Sequence, residues 1–468
     1  MNWLISVILA GFGFLCAFIF GAFAWISARE GERRAAQIAL AAALVGMFVL
    51  FAFAALPFHV QRIILGFMIL VGFAAFILFW LPIGKVETGN DTPSQRFDER
   101  RIMFARARLQ PGSPEYEIYY RLHPEDLASD ERMRAQPGLL SPNTKFANNF
   151  HFSSANGSFQ LTDALRSAVD GPVNGEQVPV STRQITRYID GLARYYGALD
   201  VGVTELRPYH VYSHVGRGMG VYGEAIEIEH THAIAFTVEM DFDMVGTAPK
   251  STATMESARQ YVEAARVAIQ LANAIRNLGY SARAHIDGNY QVIAPLVGRD
   301  AGLGEIGRMS LLMTPRQGPR VRLGVVTTDL ALQATPRKPD PTVIDFCNIC
   351  KKCAENCPSR SIPFGERQAV DGAVRWKLDE ETCFRYWNAV GTDCGRCMAV
   401  CPYAHPDNLF HNLVRWGIAH SGAFRRLALW MDDLFYGKKP AEREAPGWAK
   451  VDCDQINLNT KVTKGVTN

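Results

Sequence analysis

The first 84 residues consist of long apolar runs separated by short polar segments. Apolar stretches lie near 3–26, 36–56 and 63–82, and each has about the 20 residues that a helix needs to cross a bilayer. For the first stretch the alternative is a cleaved signal peptide, but neither a basic segment before it nor an A-x-A-like cleavage site after it is present. The pattern therefore predicts a bundle of three transmembrane helices within residues 1–84.

Basic residues are unevenly distributed between the segments that connect these helices. The loop at 27–35 contains three arginines and further basic residues follow residue 85, whereas the loop at 57–62 has Arg62 as its one charged residue. Because cytoplasmic loops carry an excess of Lys and Arg, the amino terminus is predicted outside and everything beyond residue 85 inside. We expect a multi-pass protein of the inner (cytoplasmic) membrane, with the lipid bilayer as a partner and the soluble domains on the cytoplasmic side.

Beyond residue 85 the hydrophobic pattern becomes that of a globular α/β protein. Apolar residues recur at helical spacing over 181–197 and 254–278, and Gly279 is typical of a helix end. Short apolar runs bounded by polar residues predict strands. These runs lie at 199–206, 232–240, 291–297 and 321–327. Residues 116–180, which are rich in Pro, Asn and Gly, are predicted to be irregular.

The chain is too long for one hydrophobic core, and its pattern divides it into five regions. These are the three transmembrane helices at 1–84, a linker or docking segment at 85–140, an α/β (α+β) core at 141–340, a cysteine-rich module at 341–405 and a C-terminal helical tail at 406–468. The 468 residues include 49 Lys and Arg and 46 Asp and Glu, which gives a formal net charge of +3. This near balance argues against a nucleic-acid partner.

The cysteines are the strongest chemical signal in the chain. Eight of the 10 lie in the 341–405 module. The first four have the spacing C-x2-C-x2-C-x3-C-P, which is the ferredoxin-type run that binds [4Fe–4S] clusters, and the cysteine before the proline ligates the other cluster. The predicted ligands are Cys347, Cys350, Cys353 and Cys401 for cluster 1, and Cys357, Cys383, Cys394 and Cys397 for cluster 2.

Zinc and disulfides are the alternatives for these cysteines. Zinc takes four ligands in C-x2–4-C pairs and does not account for two C-x3-C-P endings, and disulfides need an oxidising compartment. Two adjacent cubanes indicate a protein that transfers single electrons. The sequence therefore predicts a ferredoxin-like module of the bacterial type with two [4Fe–4S] clusters.

Two further motifs carry a resemblance to a known family. The segments AGLGEIGR (301–308) and GPRVRLGVVTTDL (318–330), followed by the cysteine spacing, resemble the corrinoid-dependent reductive dehalogenases. The related epoxyqueuosine reductases share the AGLG segment and the clusters. The resemblance implies a nitroreductase-like, cobalamin-binding core. Exported members of the family carry a twin-arginine leader and use a separate membrane anchor, whereas this chain is expected to supply its own membrane helices.

The resemblance also implies an activity and a cofactor. The expected enzyme is an oxidoreductase that removes halide from an organohalide, with electrons passed through the two clusters to cobalamin. Since no D-x-H-x-x-G segment is present, base-off cobalamin without an axial ligand from the protein is expected. Glycines let the backbone approach a bulky ligand closely. The residues expected to contact the cofactor are Gly302, Leu303, Gly304 and Gly307.

In the dehalogenases the proton donor is a tyrosine held close to a basic residue. By resemblance, Tyr261 matches the tyrosine and Arg320 matches the cation, with Arg322 as the second choice. A nearby cation lowers the pKa of a phenol. Asp287 resembles the carboxylate that acts as proton donor in the epoxyqueuosine reductases, and Asn289 is expected to hydrogen-bond to the substrate or the tyrosine.

Two other functions stay open at this point. A non-catalytic iron–sulfur subunit that relays electrons in a membrane redox complex would not need the 279–330 segment. Reduction of a modified tRNA base, as in the epoxyqueuosine reductases, would need a basic nucleic-acid surface. The electron donor can be a quinol, a ferredoxin or a flavoprotein, because no feature of the sequence selects one.

Overall fold

The computed structural model describes residues 2–80 and 88–451. Two compact units are present, each formed by segments that are distant in the sequence. The first unit contains the described residues of 1–86 and of 407–440, and the second unit contains those of 87–406 and of 441–468. The end predicted for the third apolar stretch at 81–82, and the predicted tail beyond residue 451, lie outside the described residues.

The α-helices are numbered in chain order. They are α1 (Asn2–Arg29), α2 (Arg33–Ala54), α3 (Phe58–Trp80), α4 (Met103–Arg106), α5 (Pro114–Leu122), α6 (Pro124–Arg134), α7 (Asn149–Leu165), α8 (Thr182–Tyr195), α9 (Phe242–Gly246), α10 (Ser251–Asn277), α11 (Ala294–Asp300), α12 (Pro341–Cys350), α13 (Lys352–Glu355), α14 (Glu380–Val390), α15 (Arg396–Ala399), α16 (Leu409–His420) and α17 (Gly422–Phe435).

In the first unit, α1, α2 and α3 are long and apolar enough to cross a membrane. Many of their large apolar side chains are exposed. A polar contact fixes how the three helices meet: the Gln61 side chain accepts a hydrogen bond from Ser6 Oγ at 3.1 Å and donates to the carbonyls of Ala54 and Leu56 at 2.7 and 2.9 Å. Gln61 thereby links the beginning of α1 to the turn between α2 and α3.

The second unit is built on a four-stranded antiparallel sheet of order β1-β2-β6-β3. Its strands are β1 (Val201–Glu205), β2 (His232–Glu239), β3 (Ala282–His285) and β6 (Val321–Thr328). Two short hairpins add β4 (Glu305–Ile306) with β5 (Leu312–Met313), and β7 (Gln368–Val370) with β8 (Ala373–Arg375). The strands predicted at 199–206, 232–240 and 321–327 are therefore present.

Two predictions of secondary structure are wrong. Residues 291–297 lead into α11 instead of forming a strand, because Pro295 lies in the first turn of that helix, where its fixed φ favours a helix start. Residues 116–180 contain most of α5 and all of α6 and α7 instead of irregular chain. Helix α7 has few strong helix formers, but it buries Phe152 and Ala155, and such packing supplies most helical stability in proteins.

Strand β2 separates two apolar layers of the second unit. Ile234, Phe236 and Val238 belong to the layer formed with α8 and α10, whereas Ala233 and Ala235 belong to the layer formed with α11. Successive residues of a strand point to opposite faces of the sheet, so this alternation follows directly from the sequence. Helix α10, which contains Tyr261, is thereby held against one face of the sheet.

Gly324 lies directly opposite Phe236 in the pairing of β2 with β6, and a Cβ atom at Gly324 would lie 2.2 Å from the ring atom Cζ of Phe236. We expect Gly324→Ala to displace this fully buried ring and to destabilise the protein by about 1–3 kcal/mol. Thermal unfolding should show a lower Tm. Gly175→Ala is the control because its added methyl meets open space, and equal Tm values for the two variants would contradict the prediction.

Candidate active site

The eight cysteines of the 341–405 module form two adjacent groups in space. Burial holds the pKa of the Cys401 thiol well above its ordinary value, and neighbouring sulfurs add to the effect. These neighbours are Cys350, Cys347 and Cys353. Burial likewise raises the pKa of the Cys397 thiol, whose neighbours are Cys394, Cys383, Cys353 and Cys357. Each group therefore offers four sulfurs, the number that a [4Fe–4S] cubane takes, and Cys353 lies close to both groups.

Left-handed backbone conformations shape both cysteine loops. Helix α12 ends at Cys350, and Lys351 then has a φ of 54° before α13 begins at the next residue. In the second loop Cys394 and Gly395 have φ values of 60° and 68° before α15 begins. These conformations turn the chain sharply. Each turn brings a cysteine of the following short helix, Cys353 or Cys397, close to the earlier cysteines of its group.

Arg308 supports the first cysteine group and was not predicted as a site residue. Its side chain is 1% exposed, and its Nε donates to the Cys347 carbonyl at 3.0 Å. Its Nη1 donates to the carbonyls of Pro363 and Gly365 at 2.7 and 2.8 Å, and its guanidinium lies 4.7 Å from the Trp376 ring centroid. The signal in the sequence was the place of Arg308 at the end of the AGLGEIGR motif.

Tyr261 on α10 is paired with Arg322. The guanidinium carbon of Arg322 lies 4.5 Å from the centroid of the Tyr261 ring. Arg322 Nη2 also donates to Ser257 Oγ, one helical turn before Tyr261, and lies 3.5 Å from Asp393 Oδ2. Because Asp393 immediately precedes Cys394, one arginine contacts both the tyrosine and the second cysteine loop.

The expectation that Arg320 is the cation beside Tyr261 is corrected to Arg322. Arg320 is 2% exposed, and its Nε donates to the Ala404 carbonyl at 3.0 Å. Its Nη1 donates to Glu239 Oε1 at 2.8 Å and to the Met240 carbonyl. The donors of Arg320 are thus used to hold the end of the cysteine module against β2.

The pKa of the Tyr261 phenol is set by opposing influences. The Arg322 guanidinium is the largest of them and lowers this pKa, but burial and the carboxylates of Asp287 and Asp393 together outweigh it. The net result is a pKa above the ordinary value of a phenol. Tyr261 is therefore protonated at neutral pH, as a proton donor must be.

Asp287 and Asn289 lie on the turn after β3. The Asp287 backbone carbonyl accepts from Arg166 Nε at 3.0 Å, and its half-buried carboxylate raises the pKa of Tyr261. Asn289 is buried, its Nδ2 donates to the Arg166 carbonyl at 3.0 Å, and its Oδ1 accepts from Arg283 Nη2 at 2.9 Å. Both ends of the Asn289 amide are therefore used inside the protein.

Arg217 and Tyr290 are further members of this site that were not predicted. Burial raises the pKa of the Tyr290 phenol well above its ordinary value, and Asp287 and Tyr261 raise it further. Arg217 forms a buried ion pair with Glu99, Nε to Oε1, at 3.1 Å, and it lowers the pKa of both tyrosines. Tyr290 directly follows the predicted residue Asn289 in the sequence, whereas Arg217 adjoins no predicted site residue.

A cavity of about 490 Å³ lies beside the first cysteine group. Its lining includes Gly307, Ser310, Trp376, Arg299 and Tyr212, whereas none of the predicted catalytic residues is among the described residues that line it. A Cβ atom at Gly307 would lie 3.6 Å from Cys347 Sγ, so this wall abuts the cysteine group. Arg299 is 2% exposed, and its Nη2 has no hydrogen-bond partner in the part of the chain that the structure describes. A ligand with amide or phosphate oxygens, such as cobalamin, would satisfy that donor.

Of the four residues expected to contact the cofactor, Gly307 lines this cavity. Gly302 and Gly304 have positive φ values of 80° and 158°, and a Cβ atom at Gly304 would lie 2.1 Å from the Met313 carbonyl oxygen. Leu303 is 5% exposed and belongs to the apolar layer around α11. These three residues therefore shape the turn that leads to Gly307.

The sequence is similar to those of characterised enzymes. Residues 346–405 match the 4Fe-4S dicluster domain family. The chain is 34% identical over 307 residues to the tetrachloroethene reductive dehalogenase of Sulfurospirillum multivorans. The aligned region covers 57% of this chain and 60% of that enzyme. It is 29% identical over 168 residues to the epoxyqueuosine reductase of Listeria monocytogenes, 32% of this chain and 43% of that enzyme. The chain thus spans 60% or less of these relatives.

The fold is that of the reductive dehalogenases. A structure that suggests a mechanism for B12-dependent dehalogenation superimposes with a TM-score of 0.61 at 24% identity, over 80% of this chain and 55% of that one. The catabolic reductive dehalogenase NpRdhA in complex with 3-bromo-4-hydroxybenzoic acid superimposes with a TM-score of 0.59 at 24% identity. The superposition covers 81% of this chain and 56% of that chain. The predicted resemblance to reductive dehalogenases, with epoxyqueuosine reductases as more distant relatives, is confirmed.

Titration of Tyr261 tests which arginine is its partner. With fluorotyrosine at position 261, fluorine NMR should give a titration midpoint above that of free fluorotyrosine, because the net pKa shift is upward. Arg322→Gln removes the influence that lowers this pKa and should move the midpoint to higher pH. Arg320→Gln, the matched control, should leave it in place. A midpoint that responds to Arg320→Gln but not to Arg322→Gln would refute the pairing.

Proposed function

We propose that the chain is a membrane-anchored reductive dehalogenase, which passes electrons through two [4Fe–4S] clusters to cobalamin and removes halide from an organohalide. The observation that carries this proposal is the protonated Tyr261 phenol beneath the Arg322 guanidinium, in the same unit as the two cysteine groups. The similarity to tetrachloroethene reductive dehalogenase and the fold shared with a brominated-hydroxybenzoate complex support an organohalide as the substrate class.

The two cysteine groups would hold the clusters in series. Cluster 1 would be bound by Cys347, Cys350, Cys353 and Cys401, and cluster 2 by Cys357, Cys383, Cys394 and Cys397. Because Gly307 joins the cavity wall to Cys347, cluster 1 would deliver electrons to the cavity and cluster 2 would receive them from the donor. Arg308 faces the sulfurs of cluster 1 with its positive charge and would tune that cluster, as residues behind metal ligands do.

The cavity beside Gly307 would hold cobalamin, with Arg299, Ser310 and Trp376 among its contacts. When bound, cobalamin supplies a cobalt centre that accepts single electrons and cleaves carbon–halogen bonds. Base-off binding without an axial ligand from the protein is part of this proposal and rests on the resemblance to the corrinoid-dependent dehalogenases. Gly302, Leu303 and Gly304 would act indirectly, by holding the turn that presents Gly307.

The residues around Tyr261 would supply the proton. Exchange of halogen for hydrogen consumes two electrons and one proton and releases halide, so a proton donor is required at the product carbon. Tyr261 would donate this proton, and Arg322 would stabilise the phenolate that is left. Asp287 would keep Tyr261 protonated through its negative charge. Asn289 would fix the turn that carries Asp287, since its amide is bonded to Arg166 and Arg283.

Helices α1, α2 and α3 suggest membrane anchoring by their length and composition. We place them as a multi-pass anchor in the inner membrane. The loop between α1 and α2 and the chain after α3 are rich in arginine, so the second unit would face the cytoplasm. Its electron donor would be a quinol, a ferredoxin or a flavoprotein.

Replacement of Tyr261 tests the proton donor. Tyr261→Phe should lower the rate of halide release by about 100- to 10,000-fold, the usual contribution of a general acid. Iron and cobalt contents should be unchanged, because Tyr261 is not one of the cysteine ligands and is not among the described residues that line the cavity. Tyr195→Phe is the control, since Tyr195 is 84% exposed in the same unit. Halide release at the normal rate by Tyr261→Phe would exclude Tyr261 as the donor.

Single cysteine replacements test the cluster assignment. Cys350→Ser and Cys383→Ser should each lose one cubane, so that iron falls from about eight to about four atoms per chain. Electron paramagnetic resonance of the reduced variants should show one remaining cluster in each case. Cys16→Ser, in α1, should retain all iron. Full iron content in Cys383→Ser would show that Cys383 is not a ligand.

A further inference from the structure

Helices α16 and α17 of the first unit bury charged side chains together with apolar ones. Their packed faces contain His411, Arg415 and Arg425, which are 6%, 7% and 3% exposed, beside the buried apolar residues Ile418, Ala428 and Phe435. Their outer faces are apolar, and we call this outer surface the apolar ridge. It consists of Leu409, Leu413 and Trp416 on α16, and of Leu427, Trp430 and Leu434 on α17. Within each helix these residues recur at helical spacing and so form one stripe.

The polar residues of the packed faces make specific contacts within the first unit. His411 Nε2 lies 3.2 Å from Glu30 Oε2, and Asn408 Nδ2 donates to Glu30 Oε1 at 2.5 Å. From α2, Arg34 Nε donates to the Leu434 carbonyl at 3.2 Å. Because Glu30 and Arg34 flank the turn between α1 and α2, the two C-terminal helices are fixed at the end of the bundle where that turn lies.

The apolar ridge is continuous with the end of α3. The Trp416 ring centroid lies 5.1 Å from that of Phe79 and 5.5 Å from that of Trp80. The Phe424 ring meets Phe79 at 4.9 Å, and Ser421 Oγ donates to the Leu78 carbonyl at 2.7 Å. The last turn of α3 and the ridge therefore share one apolar surface.

We infer that residues 407–440 form an interfacial hairpin, whose apolar ridge is immersed in the bilayer at the level of the lipid headgroups. This inference rests on the proposed membrane insertion of α1, α2 and α3. A bilayer is the occupant because the ridge continues the lipid-facing surface of α3, and a ridge in water would expose two tryptophans and four leucines side by side. Tryptophan is enriched at membrane interfaces, and helices of this kind lie in the interface plane.

Charge at this end of the bundle indicates which lipids are contacted. Arg29 and Arg33 adjoin the turn between α1 and α2, and Arg426, Lys438 and Lys439 are exposed on or after α17. Basic residues next to a membrane attract anionic headgroups. The hairpin is therefore suited to the surface of a bilayer that contains anionic phospholipid.

Photo-crosslinking of the full-length protein with its cofactors, in nanodiscs that contain phosphatidylglycerol, tests this inference. The photoreactive analogue benzoylphenylalanine replaces Trp430 in the ridge, Trp448 in the second unit or Phe73 in α3. Trp430 and Trp448 are matched in type and exposure, at 61% and 71%, and Phe73 is 61% exposed. We expect lipid adducts, detected by mass spectrometry, at positions 430 and 73, several-fold above those at position 448.

The three positions separate the possible failures. Adducts at 73 without adducts at 430 would overturn the hairpin and leave the anchor intact, whereas adducts at neither would overturn the membrane insertion on which it rests. Crosslinks from 430 to a second protein chain would also overturn the inference, because the ridge would then be a protein interface. Equal amounts of lipid adduct at positions 430 and 448 would show that lipid contacts have no preference for the apolar ridge. This result would contradict the proposed interfacial hairpin.

Discussion

Three arginines, of which Arg308 and Arg320 are buried, hold the cysteine module against the sheet of the second unit and the neighbouring β4–β5 hairpin. Arg308 donates to carbonyls of the module loops, Arg320 donates to the Ala404 carbonyl, and Arg322 faces Asp393. A buried guanidinium that loses its partners is strongly destabilising, because the charge stays out of water. A displacement of the module relative to the sheet would therefore remove the partners of at least one of these guanidinium groups. This constraint fixes the sulfurs relative to the cavity and to Tyr261.

Arg322 also connects the two kinds of chemistry proposed for the site. Its guanidinium lies over Tyr261 and close to Asp393, whose neighbour in the chain is Cys394. The group that would supply the proton and the loop that would hold a cluster are thus positioned by one side chain. Arg322 lowers the pKa of Tyr261, whereas burial and two carboxylates raise it. The Tyr261 phenol stays protonated, and the Arg322 guanidinium would stabilise the phenolate after proton transfer. This combination suits a group that donates a proton in every turnover.

The sequence predicted most of what depends on local pattern. Apolar runs located the three long helices and strand β2, and helical spacing located α10. The cysteine spacing located the module that matches the 4Fe-4S dicluster domain family. The sequence-based prediction failed where tertiary contacts determine the conformation of a segment or the partner of a side chain. Helix α7 is stabilised by its packing, and Arg320 and Arg322 are two residues apart in one motif, so only the folded chain distinguishes the arginine that meets Tyr261.

The first unit is discontinuous, because residues 407–440 complete a structure that begins with residues 2–80. A ribosome adds about 5–20 residues per second, so the three long helices exist for roughly 15 s to a minute before their last partners are synthesised. During that interval the contacts that residues 407–440 make with Glu30 and with the aromatic end of α3 have not yet formed. The order of synthesis thus obliges the sheet and the cysteine module to emerge before the bundle is closed, and a stalled or truncated chain would leave an unfinished bundle open to quality-control proteases.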